Sequence, residues 1–165
     1  MKKILVIEDD SEMRRNIVLM LQLEQYQPIA AENGRVGVEL AKREKPDLIL
    51  CDVMMPELDG YGVLKALRED TNTTLIPFIF LTAKGEKDDL RSGMNLGADD
   101  YITKPVSQAD LLKASEVRLR RSEQHHAQRE FKPDFSSDEL RYYIGRCRQF
   151  SSRASSALSH GMASE

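Results

Sequence analysis

Residues 48–67 read LILCDVMMPELDGYGVLKAL, and the fold class follows from how that stretch is divided. It opens on a continuous apolar run, Leu48-Ile49-Leu50-Cys51, the pattern of a strand buried on both faces. The run stops at Asp52. A turn-forming segment with Pro56, Asp59 and Gly60 follows, and a helical period resumes through Val63, Leu64 and Leu67. A carboxylate at the carboxyl end of a buried strand lies where open α/β sheets place their ligand sites, so Asp52 is the residue to explain.

The same unit recurs on either side. Lys3–Ile7 reads as a first buried strand running into Glu8-Asp9-Asp10, and from Ser11 a helical stripe of Met13, Ile17, Met20 and Leu21 begins. Residues 26–31 form a short second strand. Gly34 opens a helix with Val38, Leu40 and Ala41 on its apolar side, ended at Lys45 because a residue before proline resists the helical region. After the strand at 47–51 and the helix at 60–68, PFIFL at 77–81 is a fourth strand stopping at Thr82. Residues 87–96 form a helix closed by Gly97, 99–103 a fifth strand ending at Lys104-Pro105, and a last helix runs from near Ser107 to Arg121. Strands alternating with helices imply a doubly wound α/β fold, a five-stranded parallel sheet with helices on both faces.

Composition limits the function. The 165 residues carry 24 Lys and Arg against 27 Asp and Glu, a formal net charge of −3, which gives no broad attraction to nucleic acid or anionic membrane. Cys51 and Cys147 belong to no CxxC pair, so neither a disulfide framework nor a zinc site is expected. The apolar run after Lys2-Lys3 is too short for a signal sequence or a membrane span, and the chain reads as cytoplasmic. Glycines at 60 and 62 do not form a nucleotide-binding loop, since neither GxGxxG nor GxxxxGK[ST] follows the first strand.

Polar residues stand just past four strand ends: Glu8-Asp9-Asp10, Asp52, Thr82 and Lys104. In the flavodoxin-like order 2-1-3-4-5 those strands are contiguous, which brings the four sites to one edge. Clustered carboxylates repel and need a cation. Mg²⁺ suits carboxylate, carbonyl and water ligands at about 2.0–2.1 Å. Asp9 and Asp52 would bind it directly, Glu8 through water, and the backbone carbonyl of Met54 would add a ligand. Asp52 could then attack a phosphoryl donor and form an aspartyl phosphate. The Lys104 ammonium and the Thr82 hydroxyl would hold phosphoryl oxygens, and Ala83 is small enough to admit the donor. Each residue alone also has an ordinary reading. The acidic run could cap the first helix, Asp52 could be a turn residue, and Thr82 and Lys104 could be polar strand-end residues. Met54-Met55 reads as a loop packing pair, and Cys51 as a small buried apolar residue.

VIEDD, CDVMMPELDGYGVLKAL, FIFLTA and GADDYITKP, in that order and spacing, resemble the receiver domain of two-component response regulators, over about residues 2–122. The resemblance implies a signalling switch rather than a metabolic enzyme, one that catalyses only its own phosphorylation and slow dephosphorylation. Asp52 would accept the phosphoryl group from a sensor histidine kinase or phosphotransfer protein in a Mg²⁺-dependent step. Thr82 and Tyr101 would act as the switch pair, with a cis peptide before Pro105. The face formed by the helix at 87–96, the fifth strand and the last helix would be remodelled to control a partner or form a homodimer. Met54 and Lys84 occupy positions that tune phosphoryl lifetime in that family.

Two other classes compete. A Mg²⁺-dependent aspartyl phosphatase also uses Asp, Thr or Ser, and Lys, but places its nucleophile in a DxD after the first strand. An interaction module that keeps the fold without phosphorylation would not need the intact acidic, threonine and lysine positions. Residues 123–165 read as an appendage: a polar linker with a surface pair His125-His126, then a short amphipathic helix. That helix is capped by Ser136 and Glu139 and carries Leu140, Tyr143, Ile144 and Cys147 on one face, and a serine-rich disordered end follows it. Its scattered arginines do not suffice for nucleic-acid binding.

Overall fold

The computed structural model describes residues 1–83 and 95–130. The chain divides into two units, Met1–His126 and Ala127–Glu165, and the sheet belongs to the first. In chain order the elements are β1 (Lys3–Ile7), α1 (Ser11–Leu23), β2 (Gln27–Ala31), α2 (Gly34–Glu44), β3 (Leu48–Asp52), α3 (Gly60–Glu69), β4 (Phe78–Thr82), β5 (Asp100–Thr103) and α4 (Gln108–Glu130). All but the last two residues of the helix expected over 87–96, together with Lys84 and everything read from residues 131–165, lie outside the described residues.

The five strands form one parallel sheet in the order β2-β1-β3-β4-β5. Successive strand residues point to opposite faces, so the unbroken apolar runs in β1, β3 and β4 feed two cores at once. On one face Leu5, Ile7, Ile49, Cys51, Phe78 and Phe80 pack with Ala41 of α2 and Val63, Leu64 and Leu67 of α3. On the other, Ile4, Val6, Leu48, Leu50, Ile79 and Leu81 pack with Ile17 and Leu21 of α1 and Leu111 and Leu119 of α4. The site edge is thereby held by strands that cannot shift without opening both cores.

Local chemistry sets the element ends. Asp10, Asn33 and Asp59 cap α1, α2 and α3, each accepting a backbone N–H three residues on. Lys45 closes α2 at φ 47, in the left-handed region, and the chain leaves the helix before Pro46 as its sequence demands. Gly97 takes φ 94.

The third, fourth and fifth strands each start one residue later than the sequence reading, at Leu48, Phe78 and Asp100, and the structure departs from that reading elsewhere too. Asp52 and Thr82 are the last residues of β3 and β4 rather than the first beyond them. Tyr26 is not in β2, because its N–H donates to the Leu21 carbonyl at 3.1 Å in the turn closing α1. On α2, Val38 and Leu40 pack half-buried against the core beside buried Ala41, and the fully buried positions also include Gly34 and Gly37. A Cβ on Gly37 would lie 2.4 Å from Ile7 Cδ1, so α2 rests its backbone directly on β1. Finally, α4 continues past Arg121 to Glu130, since SEQHHAQRE contains strong helix formers and neither Gly nor Pro.

Candidate functional site

β1 and β3 are neighbours, and their carboxyl ends bring Glu8, Asp9 and Asp52 together. One carboxylate oxygen from each lies within 4.8 Å of the others. Glu8 is 1% and Asp52 5% exposed, while Asp9 opens to solvent. The acidic run divides between its two readings: Asp10 Oδ1 accepts the Met13 N–H at 2.8 Å and caps α1, leaving Glu8 and Asp9 to the cluster. The Asp10 N–H in turn donates to Glu8 Oε1 at 3.2 Å.

Lys104, just past β5, reaches back across β4. Its Nζ lies 2.8 Å from Asp52 Oδ1 and 3.0 Å from Glu8 Oε2. Its backbone N–H donates to the Thr82 carbonyl at 2.7 Å, and the Lys104–Pro105 peptide is cis. Despite the nearby ammonium, Glu8 Oε2 receives no directed hydrogen bond among the described residues. Burial pushes the Glu8 carboxyl up to about 7; Lys104 opposes that shift and the Asp52 charge adds to it. Asp52 is raised for the same first reason, again against the pull of Lys104. Burial alone would lower the Lys104 ammonium, but its hydrogen bond to Asp52 and its ion pair with Glu8 outweigh it and the net direction is upward. Two carboxylates thus share one cation while a third sits beside them. An all-oxygen donor set, partly buried and with an under-satisfied oxygen, fits a hard divalent ion such as Mg²⁺.

The remaining residues surround this cluster. Thr82 pairs in register with Thr103 on β5, and Asp52 with Leu81, so Thr82 stands one position beyond Asp52's partner on the adjacent strand. The Thr82 hydroxyl donates to the carbonyl of Ala83 at 3.1 Å, and Ala83 itself is exposed. Tyr101, opposite Phe80, is 45% exposed at the β5 edge. The Met54 N–H donates to Asp52 Oδ1 at 3.4 Å. Met54 and Met55 do not form a packing pair: Met55 is buried against the α2–α3 face, whereas Met54 is 68% exposed at the mouth of the site. Cys51 is buried, with burial pushing its thiol well up, in keeping with an apolar role. Gly60 lets the loop fold under Asp52, because a Cβ there would lie 2.4 Å from the Asp52 carbonyl oxygen.

Two arginines had no signal in the sequence. Arg14 Nη1 donates to the carbonyls of Glu8 and Asp9. Arg68 donates to the carbonyls of Thr74, Ile76 and Gly97, and to Asp99, whose carboxylate also takes the Phe78 N–H. Its acceptors tie the end of α3 to both segments flanking β4.

Comparison with known proteins gives one consistent result. The family model for the response regulator receiver domain matches residues 4–116. Protein PilH of Pseudomonas aeruginosa is 41% identical over 113 residues, covering 68% of this chain and 93% of PilH. A probable transcriptional regulator, ycf27, of Porphyra purpurea is 41% identical over 122 residues, 74% of this chain but 49% of its own length. The chain spans about half the length of the ycf27 relatives it matches. A response regulator receiver domain from Clostridium thermocellum superposes with a TM-score of 0.71 at 28% identity, covering 75% of this chain and 98% of that one. The receiver domain of the sensor histidine kinase PA1611 from Pseudomonas aeruginosa was solved with a magnesium ion coordinated in its active site cleft. It superposes with a TM-score of 0.67 at 30% identity, covering 72% of this chain and 97% of that one.

Proposed function

The chain belongs to the response regulator receiver family, and from that premise we propose that Asp52 is its phosphoacceptor in a Mg²⁺-dependent transfer. The observation that carries this reading is the juxtaposition of Glu8, Asp9 and Asp52 oxygens within 4.8 Å, with Lys104 Nζ 2.8 Å from the acceptor. Glu8, Asp9, Asp52 and the Met54 carbonyl are the groups that would hold Mg²⁺, which when bound supplies positive charge against the phosphoryl oxygens.

The chain's own residues do the rest. Asp52 Oδ1 is engaged by Lys104 and the Met54 N–H, and Oδ2 carries neither of those bonds. A carboxylate oxygen of Asp52 attacks phosphorus in line; the new O–P bond forms as the P–N bond of a phosphohistidine breaks. The imidazole nitrogen leaves with the electron pair. Lys104 then exchanges part of its ion pair with Asp52 for a phosphoryl oxygen, and the Thr82 hydroxyl turns from Ala83 to another. Recruitment of Thr82 opens room for Tyr101, now at the β5 edge, to turn inward. Water later hydrolyses the acyl phosphate and regenerates Asp52.

The donor in this reading is a sensor histidine kinase or phosphotransfer protein. The output is a change on the face of β5 and α4, which a partner or a second copy would read. We place the protein in the cytoplasm and assign residues 123–165, the first eight of which continue α4, to an appendage of the receiver; among the described residues, no helix is long and apolar enough to cross a membrane. Nucleic acid is not its direct ligand in this assignment.

The test is intact-protein mass after incubation with acetyl phosphate, with and without Mg²⁺, for the wild type and Asp52→Asn. One phosphoryl adduct that requires both Mg²⁺ and Asp52 supports the assignment. Absence of an adduct in the wild type, with acetyl phosphate and with a phosphohistidine donor, rejects it.

A further inference from the structure

We propose that Arg14 is a positioning residue for the cation site, holding the main chain that carries Glu8 and Asp9. The inference rests on the reading of Glu8, Asp9 and Asp52 as the Mg²⁺ site. It concerns a residue that touches neither the ion nor the phosphoryl group.

The argument starts from helix geometry. Asp10 is the cap of α1, and Arg14 closes the first helical bond, its N–H donating to the Asp10 carbonyl at 2.9 Å. Side chains on a helix tilt toward its N-terminus, so a long side chain here runs back over the loop just left behind. Arg14 does so: Nη1 lies 2.6 Å from the Glu8 carbonyl and 3.2 Å from the Asp9 carbonyl. One guanidinium nitrogen therefore fixes two successive peptide planes.

Those planes have few other restraints on their oxygen side. The Glu8 N–H still belongs to the sheet, donating to Ala31 at 3.1 Å, whereas its carbonyl accepts from Arg14. Without Arg14, water would satisfy both carbonyls, and rotation of either plane would swing a carboxylate that the cation needs. Glu8 and Asp9 also differ in burial, so the loop must present one acid inward and the next outward over a single peptide. Arg14 bonds the carbonyls on both sides of that reversal. Groups that orient ligands without touching the metal commonly change affinity 10- to 100-fold when removed.

The experiment is calorimetric titration of the full chain with MgCl₂, comparing the wild type with Arg14→Ala, Arg14→Lys and Arg15→Ala. Arg15 is exposed on the same turn and removes the same charge. About tenfold weaker Mg²⁺ binding in Arg14→Ala, an intermediate loss in Arg14→Lys, and wild-type affinity in Arg15→Ala are expected. Equal losses in Arg14→Ala and Arg15→Ala would reduce the effect to net charge and overturn the inference. So would wild-type affinity in a folded Arg14→Ala, even with a lowered melting temperature. If Arg14→Ala does not fold, Arg14→Lys decides: unchanged affinity there overturns the inference. Mg²⁺ binding lost in the wild type would sink the proposed function along with it, whereas failure confined to the Arg14 variants leaves that function standing.

Discussion

Glu8→Gln is expected to stabilise the metal-free protein above neutrality, although it removes an ion-pair partner of Lys104. Glu8 is 1% exposed, and burial raises its carboxyl from an ordinary 4.5 to about 7. Below pH 4.5 the folded and unfolded chains both hold this proton, and the group contributes nothing to the pH dependence. Between 4.5 and about 7 the unfolded chain releases the proton while the folded chain keeps it, so stability falls as pH rises. Above 7 both have released it and the full penalty persists. At about 1.4 kcal/mol per tenfold change in proton affinity, the penalty is about 3 kcal/mol. That is a large part of the 5–15 kcal/mol typical of a domain.

Glutamine keeps the shape and cannot ionise. Thermal unfolding in EDTA, followed by circular dichroism from pH 5 to 8, should show the wild type losing stability across this range. Glu8→Gln should run flatter and melt roughly 10 °C higher at pH 8. Asp52 is also raised by burial, so its own contribution to stability falls with rising pH in the wild type and the variant alike. Lys104 does not enter this window, since its upward shift affects stability only as pH rises past its ordinary 10.5. Saturating Mg²⁺ should reverse the ranking, because the cation neutralises the carboxylate that glutamine lacks. Superimposable pH profiles, or a variant less stable than the wild type at pH 8 in EDTA, would refute the reasoning.

Gly60→Ala should destabilise by about 2 kcal/mol in urea titrations, as its Cβ would enter to 2.4 Å of the Asp52 carbonyl oxygen, and phosphoryl labelling of Asp52 should slow with the displaced loop. Arg68→Ala strips three carbonyls of a charged donor and should cost about 2 kcal/mol, with amide hydrogen exchange accelerating first at Phe78 and at 97–99. Arg68→Lys should recover little of this, because an ammonium cannot reproduce the guanidinium fork; full recovery would contradict the geometric account. Asp10→Ala should lose about 1 kcal/mol of helix capping yet keep its Mg²⁺ affinity, since its contact to Glu8 runs through the backbone N–H.

Much of the site could be read from sequence because each strand ends where its apolar run meets a polar residue. The parallel order 2-1-3-4-5 then brings Glu8, Asp52, Thr82 and Lys104 to one edge. Strand limits slipped by one residue at Asp52 and Thr82, since a side chain's polarity does not stop its backbone from pairing; both residues still complete the ladder. The α2 face was read incompletely for a related reason: Val38, Leu40 and Ala41 do pack on the core, but Gly34 and Gly37 were missed. Hydrophobic periodicity weights large side chains, and at Gly37 the requirement is for none, because the helix axis lies too close to Ile7 for a Cβ.

The two arginines were illegible for a deeper reason. Arg14 and Arg68 bond mainly to carbonyl oxygens, and every residue has a carbonyl, so no residue type marks an acceptor. Which carbonyls are left over depends on where ladders and helices end, a property of the fold rather than of any motif. At Glu8 and Asp9 the leftover carbonyls belong to the very residues whose carboxylates form the cluster, and one guanidinium supplies a donor to both. A second arginine at position 15 sits a residue away and is exposed. Identical chemistry one step along the helix therefore separates geometry from charge.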